Sequence, residues 1–460
     1  MIELDPSKIY EDFSKELIEK STAIDKLIVL IENSNNIQTR LKSIIFLEII
    51  GEDFKDIGII REDIFKLFEN LLISDHSENI RNYAAKILGE KFLDISIKPL
   101  RWALLHEQSA LCLNTIFRFL IIIIKNLDQA NDLSSKLVLV RELKQMYDND
   151  LRIGFELLIE NNDINSIETH KLSLILINYF SLIYLKKSFW RLKYKVEDCK
   201  VTEINFQFKG LIEIPEAVQY LDSLIMLILR YNQITSVPKW IEKLKYLEVL
   251  NLNINNIKDL PESIGSLSYL KDLSLWRNEV ERLPNSICNL KSLESLNLRL
   301  NRLKELPLNI GSLKSLKELN LHDNKLKTLP NSIKNLILLQ KLNLSWNQLQ
   351  TIPDSVKFLS NLIVFDIERN ELSYIPEVIG ELINLEILNL SDNNLTAIPN
   401  TIGSLKNLKY LNLSRNKLES LPESLNSLSS LKELNLSDNK LKEIPSTLKN
   451  LETKGLTIYY

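Results

Sequence analysis

From Val201 onward, apolar residues recur on a 23-residue frame that runs through Thr453 without an insertion or deletion. In the unit that begins at Leu316, they occupy positions 1, 4, 6, 11, 14, 18 and 21, with Asn324 at position 9 and Pro330 at position 15. The frame restarts at Val201, Leu224, Leu247, Leu270, Leu293, Leu316, Leu339, Leu362, Leu385, Leu408 and Leu431, which makes eleven units. Leu319 and Leu321 lie two residues apart, so both point to one side of a short strand while Glu318, Asn320 and His322 point to the other. Pro330 fixes φ and starts the outer segment, where Ile333 and Leu336, three apart, suit a helical or 3₁₀ turn. Stacked in register, such units form a parallel sheet with one face in the core and one face open. Each unit needs to bury its apolar stripe only against its neighbours.

Residues 1–200 lack this frame. Their apolar residues are spaced by three and four, as in Ile80, Ala84, Ile87 and Leu88, which predicts amphipathic helices. The fold class expected is therefore α+β multidomain: an all-α domain over residues 1–200, then an α/β solenoid over residues 201–460. The tail 454–460 drops the frame, but Leu456 and Ile458 still alternate as in a last strand and are expected to cover the open end. Lys186 to Lys195 is basic and aromatic and reads as a junction helix with its aromatics turned to the first repeat and its lysines to water.

The unit pattern, Leu-x-x-Leu-x-Leu-x-x-Asn-x-Leu-x-x-Leu-Pro, resembles the leucine-rich repeat, and in particular the Ras-group intracellular leucine-rich proteins. That resemblance implies a curved solenoid with a concave sheet. It also implies a ladder in which the position-9 asparagine bonds to backbone of neighbouring turns. Ten units carry this asparagine, from Asn232 to Asn439, and the first has Lys209. The same resemblance implies a cytoplasmic adaptor that binds a small GTPase or a phosphatase on its concave face. In the front half, Asp75 to Gly89 is similar to the second helix of a HEAT repeat. A weaker copy lies 41 residues earlier, where Arg40, Ser43, Ile44 and Leu47 match Arg81, Ala84, Ala85 and Leu88.

Composition changes this picture little. Of 460 residues, 45% are hydrophobic and 25% charged, as in a folded soluble protein, and the net charge of −3 offers no basic excess for nucleic acid. The start Met1-Ile2-Glu3-Leu4-Asp5-Pro6 is acidic where a secretory signal needs a basic start, which favours the cytoplasm. The three cysteines, Cys112, Cys199 and Cys288, are far apart, which fits a reducing compartment. The apolar run Leu172 to Leu185 is short for a membrane span and reads as a buried helix.

Catalysis needs a nucleophile and a base that can meet, and a metal needs clustered ligands. His76, His106, His170 and His322 are scattered, and no cysteine pair has zinc spacing, so no catalytic residue, metal or cofactor is expected. His76 reads as a loop residue and His322 as a solvent-facing strand residue. The alternative is the substrate-recognition arm of an enzyme such as a ubiquitin-ligase-like effector, for which Cys199 would have to be reactive.

Each repeat serves as a control for the others. At positions 7 and 8 the last three units carry Ser391-Asp392, Ser414-Arg415 and Ser437-Asp438. Earlier units carry larger residues there: Arg230 and Tyr231, Trp276 and Arg277, Arg299, His322, Trp346, Glu368 and Arg369. Aromatic residues and arginine dominate binding hot spots, so these nine residues, placed side by side on the open strand face, are the candidate protein-binding site. Met226, Val249, Val364 and Ile387 at position 3 add apolar surface where consensus-like units have Glu or Lys.

Overall fold

The computed structural model describes residues 5–51, 59–164, 166–442, 448 and 455–460. The chain divides into two compact units, Met1–Leu192 with Val196–Lys200, and Lys193–Lys195 with Val201–Tyr460.

The first unit is built of helices: α1 (Pro6–Ser14), α2 (Lys20–Asn33), α3 (Ile37–Ile50), α4 (Ile59–Ser74), α5 (Glu78–Lys91), α6 (Ile97–His106), α7 (Ala110–Ala130), α8 (Leu133–Leu143), α9 (Asn149–Asn161) and α10 (Thr169–Ser188). Short polar residues start several of them by accepting from first-turn N–H groups: Asn36 for α3, Ser109 for α7, Asp132 for α8 and Asp148 for α9. Successive helices pack as pairs, α2 on α3, α4 on α5 and α6 on α7. Ser43, Ala84 and Ala85 are buried, as small residues must be where helices approach closely.

A charged rail links the pairs. Arg40 donates to the Ile31 carbonyl at 2.7 Å and to the Asp75 carboxylate. One pair later, Arg81 donates to the Asp75 carbonyl and forks onto Glu107 at 2.7 and 3.0 Å. Burial pushes the Glu107 carboxyl up, but the Arg81 guanidinium and the N–H groups of Ser109 and Gln108 outweigh it and hold the carboxyl down at about 2.

By length and composition α7 is apolar enough to cross a membrane. It buries Cys112, Leu113, Ile116, Phe117, Leu120 and Ile124 along one stripe, by which it packs against α5, α6, α8 and α10. The run Leu172 to Leu185 lies within α10, which is buried around nearly its whole girth, including Tyr179 and Phe180.

The junction departs from expectation. The helix ends at Ser188, and residues Lys193–Glu197 form strand β1, the first of a 13-stranded sheet. Tyr194 and Val196 alternate with Lys193, Lys195 and Glu197 in burial, the period of a strand rather than a helix. Trp190 is 76% exposed, with the Arg191 guanidinium 4.2 Å from its ring centre, where a packed junction aromatic was expected.

Strand β2 (Lys200–Asn205) leads into three-residue strands, one per repeat: β3 (Met226–Ile228), β4 (Val249–Asn251), β5 (Asp272–Ser274), β6 (Ser295–Asn297), β7 (Glu318–Asn320), β8 (Lys341–Asn343), β9 (Val364–Asp366), β10 (Ile387–Asn389), β11 (Tyr410–Asn412) and β12 (Glu433–Asn435). Their order in the sheet is the order in the chain, and each pairs in parallel with partners 23 residues away, as Glu318 does with Ser295 and Lys341. Each strand is thus positions 3 to 5 of its unit. A 3₁₀ turn follows the proline, for instance Asn331–Asn335 after Pro330. Pro445 lies outside the described residues. At the far end β13 (Thr457–Tyr459) pairs in parallel with β12, and Leu456 is buried, so the tail covers the last strand.

The asparagine ladder is present. Asn324 Oδ1 accepts from the Leu303 N–H at 3.0 Å, and its Nδ2 donates to the carbonyls of Leu298 at 2.9 Å and Leu321 at 3.1 Å. One side chain therefore pairs backbone groups of two successive turns that the stack has taken from water. Gly311 marks where successive units press together. A Cβ there would lie 1.9 Å from the Ser332 carbonyl oxygen of the next unit, so close stacking, and not a left-handed φ, calls for glycine.

Candidate functional site

Since the strands end at position 5, the candidate residues at positions 7 and 8 do not sit on the strand face. They form a ledge in the turn just beyond the strands. Position 8 has a left-handed φ in every unit, from Phe208 at 58° through Arg277 at 56° and Trp346 at 57° to Asp438 at 57°. This conformation costs a non-glycine residue on the order of 1 kcal/mol. The cost is met by the stack: the position-8 N–H donates to the position-7 carbonyl of the next unit, as Arg277 does to Arg299 at 2.9 Å and Trp346 to Glu368 at 2.8 Å. The ledge is thereby locked in register, and its side chains form rows.

The strand's last residue supports the ledge from inside, a role the residue pattern did not disclose. At position 5, Asn297, Asn320 and Asn343 each accept from the N–H two residues on, at 3.1, 3.1 and 2.9 Å, and so fix where the position-7 side chain leaves the backbone. The fourth unit has Ser274 there instead. Asn253 of the preceding unit reaches across to accept from Trp276 N–H at 2.8 Å and from Ser274 Oγ at 2.7 Å.

The nine residues fall into three groups. Arg230 and Tyr231 lie together at the front, the guanidinium 5.5 Å from the ring centre, with Phe208 stacked on Tyr231 at 4.5 Å. Next comes Trp276, with the Arg299 guanidinium 6.0 Å from its ring and Arg277 exposed beside it. Trp276 is half-buried, not fully solvated as the pattern predicted, and its indole Nε1 is buried with no hydrogen-bond partner among the described residues. The third group centres on Trp346, 40% exposed, with Arg369 at 3.7 Å over its ring and His322 at 6.0 Å.

His322 also departs from the predicted solvent-facing strand position. It lies past the end of β7, half-buried, with Nδ1 2.7 Å from Ser345 Oγ. Burial, and after it the nearby Arg299 charge, pushes its pKa down, so it stays neutral near pH 7. Glu368 faces Asp366, the acid at position 5 of the same unit. Burial raises the pKa of both, and Asp366 raises that of Glu368 further. Asp366 and Phe208 were missed by the sequence reading. The signal for Asp366 was available, as the one acid in a column of asparagines.

No His, Cys, Asp and Glu cluster able to hold a metal occurs among the described residues. Cys199 is 3% exposed, and burial pushes its thiol up to about 11, so at neutral pH it is protonated and out of solvent. Burial likewise raises Cys288. His76 lies between α4 and α5, off both helices.

Family models for a leucine-rich repeat region match residues 215–299, 240–324 and 262–362, and a leucine-rich repeat model matches residues 383–441. No curated protein matches the chain. Among solved structures, a leucine-rich repeat protein of Leptospira interrogans is 30% identical, over 56% of this chain and 83% of its own, with a TM-score of 0.36. A TDR receptor is 31% identical, over 61% of this chain and 49% of its own, with a TM-score of 0.54. A plant peptide hormone receptor, RGFR1 in complex with RGF2, is 29% identical, over 53% of this chain and 45% of its own, with a TM-score of 0.45. The chain spans about half the length of the two receptors.

Proposed function

The chain belongs to the leucine-rich repeat proteins, and from that premise we propose that it is a non-enzymatic scaffold whose protein partner docks on the concave face of the array. The observation that carries this reading is the ledge. Trp346, Tyr231, Arg230, Arg277, Arg299 and Arg369 occupy rows that the stack holds in register, in places where the ninth and eleventh units carry only serine and aspartate. Large aromatic and guanidinium groups in the open add little to folding but are the groups that anchor interfaces. The likeness to a receptor at 31% identity supports a recognition role.

Within this reading we take the partner class to be a small GTPase or a phosphatase, on the strength of the Ras-group repeat frame, and the setting to be the cytoplasm, which the three free, buried cysteines suit. The helix pairs linked by Arg40, Asp75, Arg81 and Glu107 support a HEAT-like reading of the front unit. Substituting Arg277→Glu together with Trp346→Ala is expected to abolish partner capture by the full chain, while the thermal unfolding midpoint stays within a few degrees of the parent. Trp346 serves better here than the half-buried Trp276. Undiminished capture by a folded double variant would remove the ledge from the interface.

A further inference from the structure

The arginines of the ledge differ in what surrounds them. Arg415, in the tenth unit, is bracketed by acids from both neighbours, Asp392 at 3.4 Å and Asp438 at 3.6 Å. Among the described residues, no such pair is made by Arg230, Arg277 or Arg299. Arg277 shares its row with Ile254 and Leu300, and Arg299 and Arg230 stand beside Trp276 and Tyr231. The array can neutralise a ledge arginine from the adjoining units, and does so in the tenth. In units two, four and five the three charges are left to the outside. On the strands of units two and three, Met226 and Val249 pair in register and are half-exposed, so an apolar strip borders the Arg230 end of the ledge, and Asp272 and Ser295 continue the row beneath Arg277 and Arg299.

We infer that this front part of the ledge binds an extended acidic segment of a protein partner, with carboxylates on Arg230, Arg277 and Arg299 and apolar side chains on the Met226 and Val249 strip. The inference rests on the scaffold reading above and specifies its partner. Units two to five span about 14 Å across strands spaced about 4.8 Å apart, room for an extended run of about four or five residues. Guanidinium groups grip carboxylates through paired N–H donors, and unpaired surface charge steers association with the opposite charge. A nucleic-acid strand suits the surface less. The cations are three separate points and not a continuous track, the chain as a whole carries −3, and the strip beside Arg230 is apolar.

The test uses the full chain and a fluorescein-labelled random copolymer of glutamate and tyrosine, read by anisotropy, against a lysine and tyrosine copolymer and a thymidine oligonucleotide of equal length. The glutamate copolymer is expected to bind best and to weaken as salt rises. The variant Arg230→Gln, Arg277→Gln, Arg299→Gln is expected to bind it at least about tenfold more weakly, and Arg415→Gln to change affinity by less than about twofold. Equal binding by parent and triple variant, or tighter binding of the oligonucleotide, overturns the inference. If the glutamate copolymer fails to bind while Arg277→Glu with Trp346→Ala still abolishes partner capture, the acidic segment is wrong and the scaffold reading stands.

Discussion

Asp366 stands where eight other units place asparagine, and it keeps the asparagine's bond, accepting from the Glu368 N–H at 3.1 Å. What it adds is a charge in a half-buried place beside Glu368 and Asn343. Its folded pKa is raised, so the folded state binds the proton more tightly than the unfolded one. The stability this group contributes is full below its ordinary value near 3.8 and is lost as pH climbs through the raised folded value. Asp366→Asn is therefore expected to raise the unfolding midpoint at pH 7 and to leave it unchanged near pH 3, which melts at the two pH values would check. No gain at pH 7 would show that the bond the carboxylate accepts from Asn343 Nδ2, at 3.2 Å, offsets its burial. An acid retained where an amide would be more stable suits a ledge that serves recognition more than folding.

The element to consider is the single repeat, held by an apolar stripe and one asparagine. Asn324 is 6% exposed and serves four backbone groups at once. Asn324→Ala should cost on the order of 3 kcal/mol, since the groups it leaves unpaired are buried in the middle of the stack. Asn439, near the end and less buried, should cost less when replaced in the same way. Urea unfolding of the two variants would compare them, and equal losses would argue against burial as the cause. The repeat's frame of leucines, asparagine and proline was legible from spacing alone, because those positions are dictated by local geometry. The end of the strand was not. Positions 6 and 7 continue the alternation, and nothing in the residue types marks position 8 as left-handed, since tyrosine, tryptophan, leucine and arginine all occur there. Only the hydrogen bond to the next unit makes that conformation affordable.

At the scale of the whole array, exact periodicity makes the repeats separable. Removing residues 385–407 joins one frame to the next without a shift, and the shortened chain is expected to fold cooperatively and still capture its partner. Removing residues 270–292 preserves the frame equally well but takes away Trp276 and Arg277, and capture is expected to be lost. Circular dichroism melts with a pull-down would read both, and equivalent behaviour of the two deletions would contradict a localised site. By itself the sequence determined the solenoid, its in-register parallel strands and the helical front unit, because each follows from contacts between residues a few positions or one fixed period apart. Only the tertiary structure decided that the candidate residues stand on a ledge beyond the strands, that Trp276 is half-buried, that Lys193–Glu197 is a strand, and which arginines have partners. Those outcomes depend on what the adjoining unit supplies to a given atom, and a single unit's residues do not encode their neighbour's.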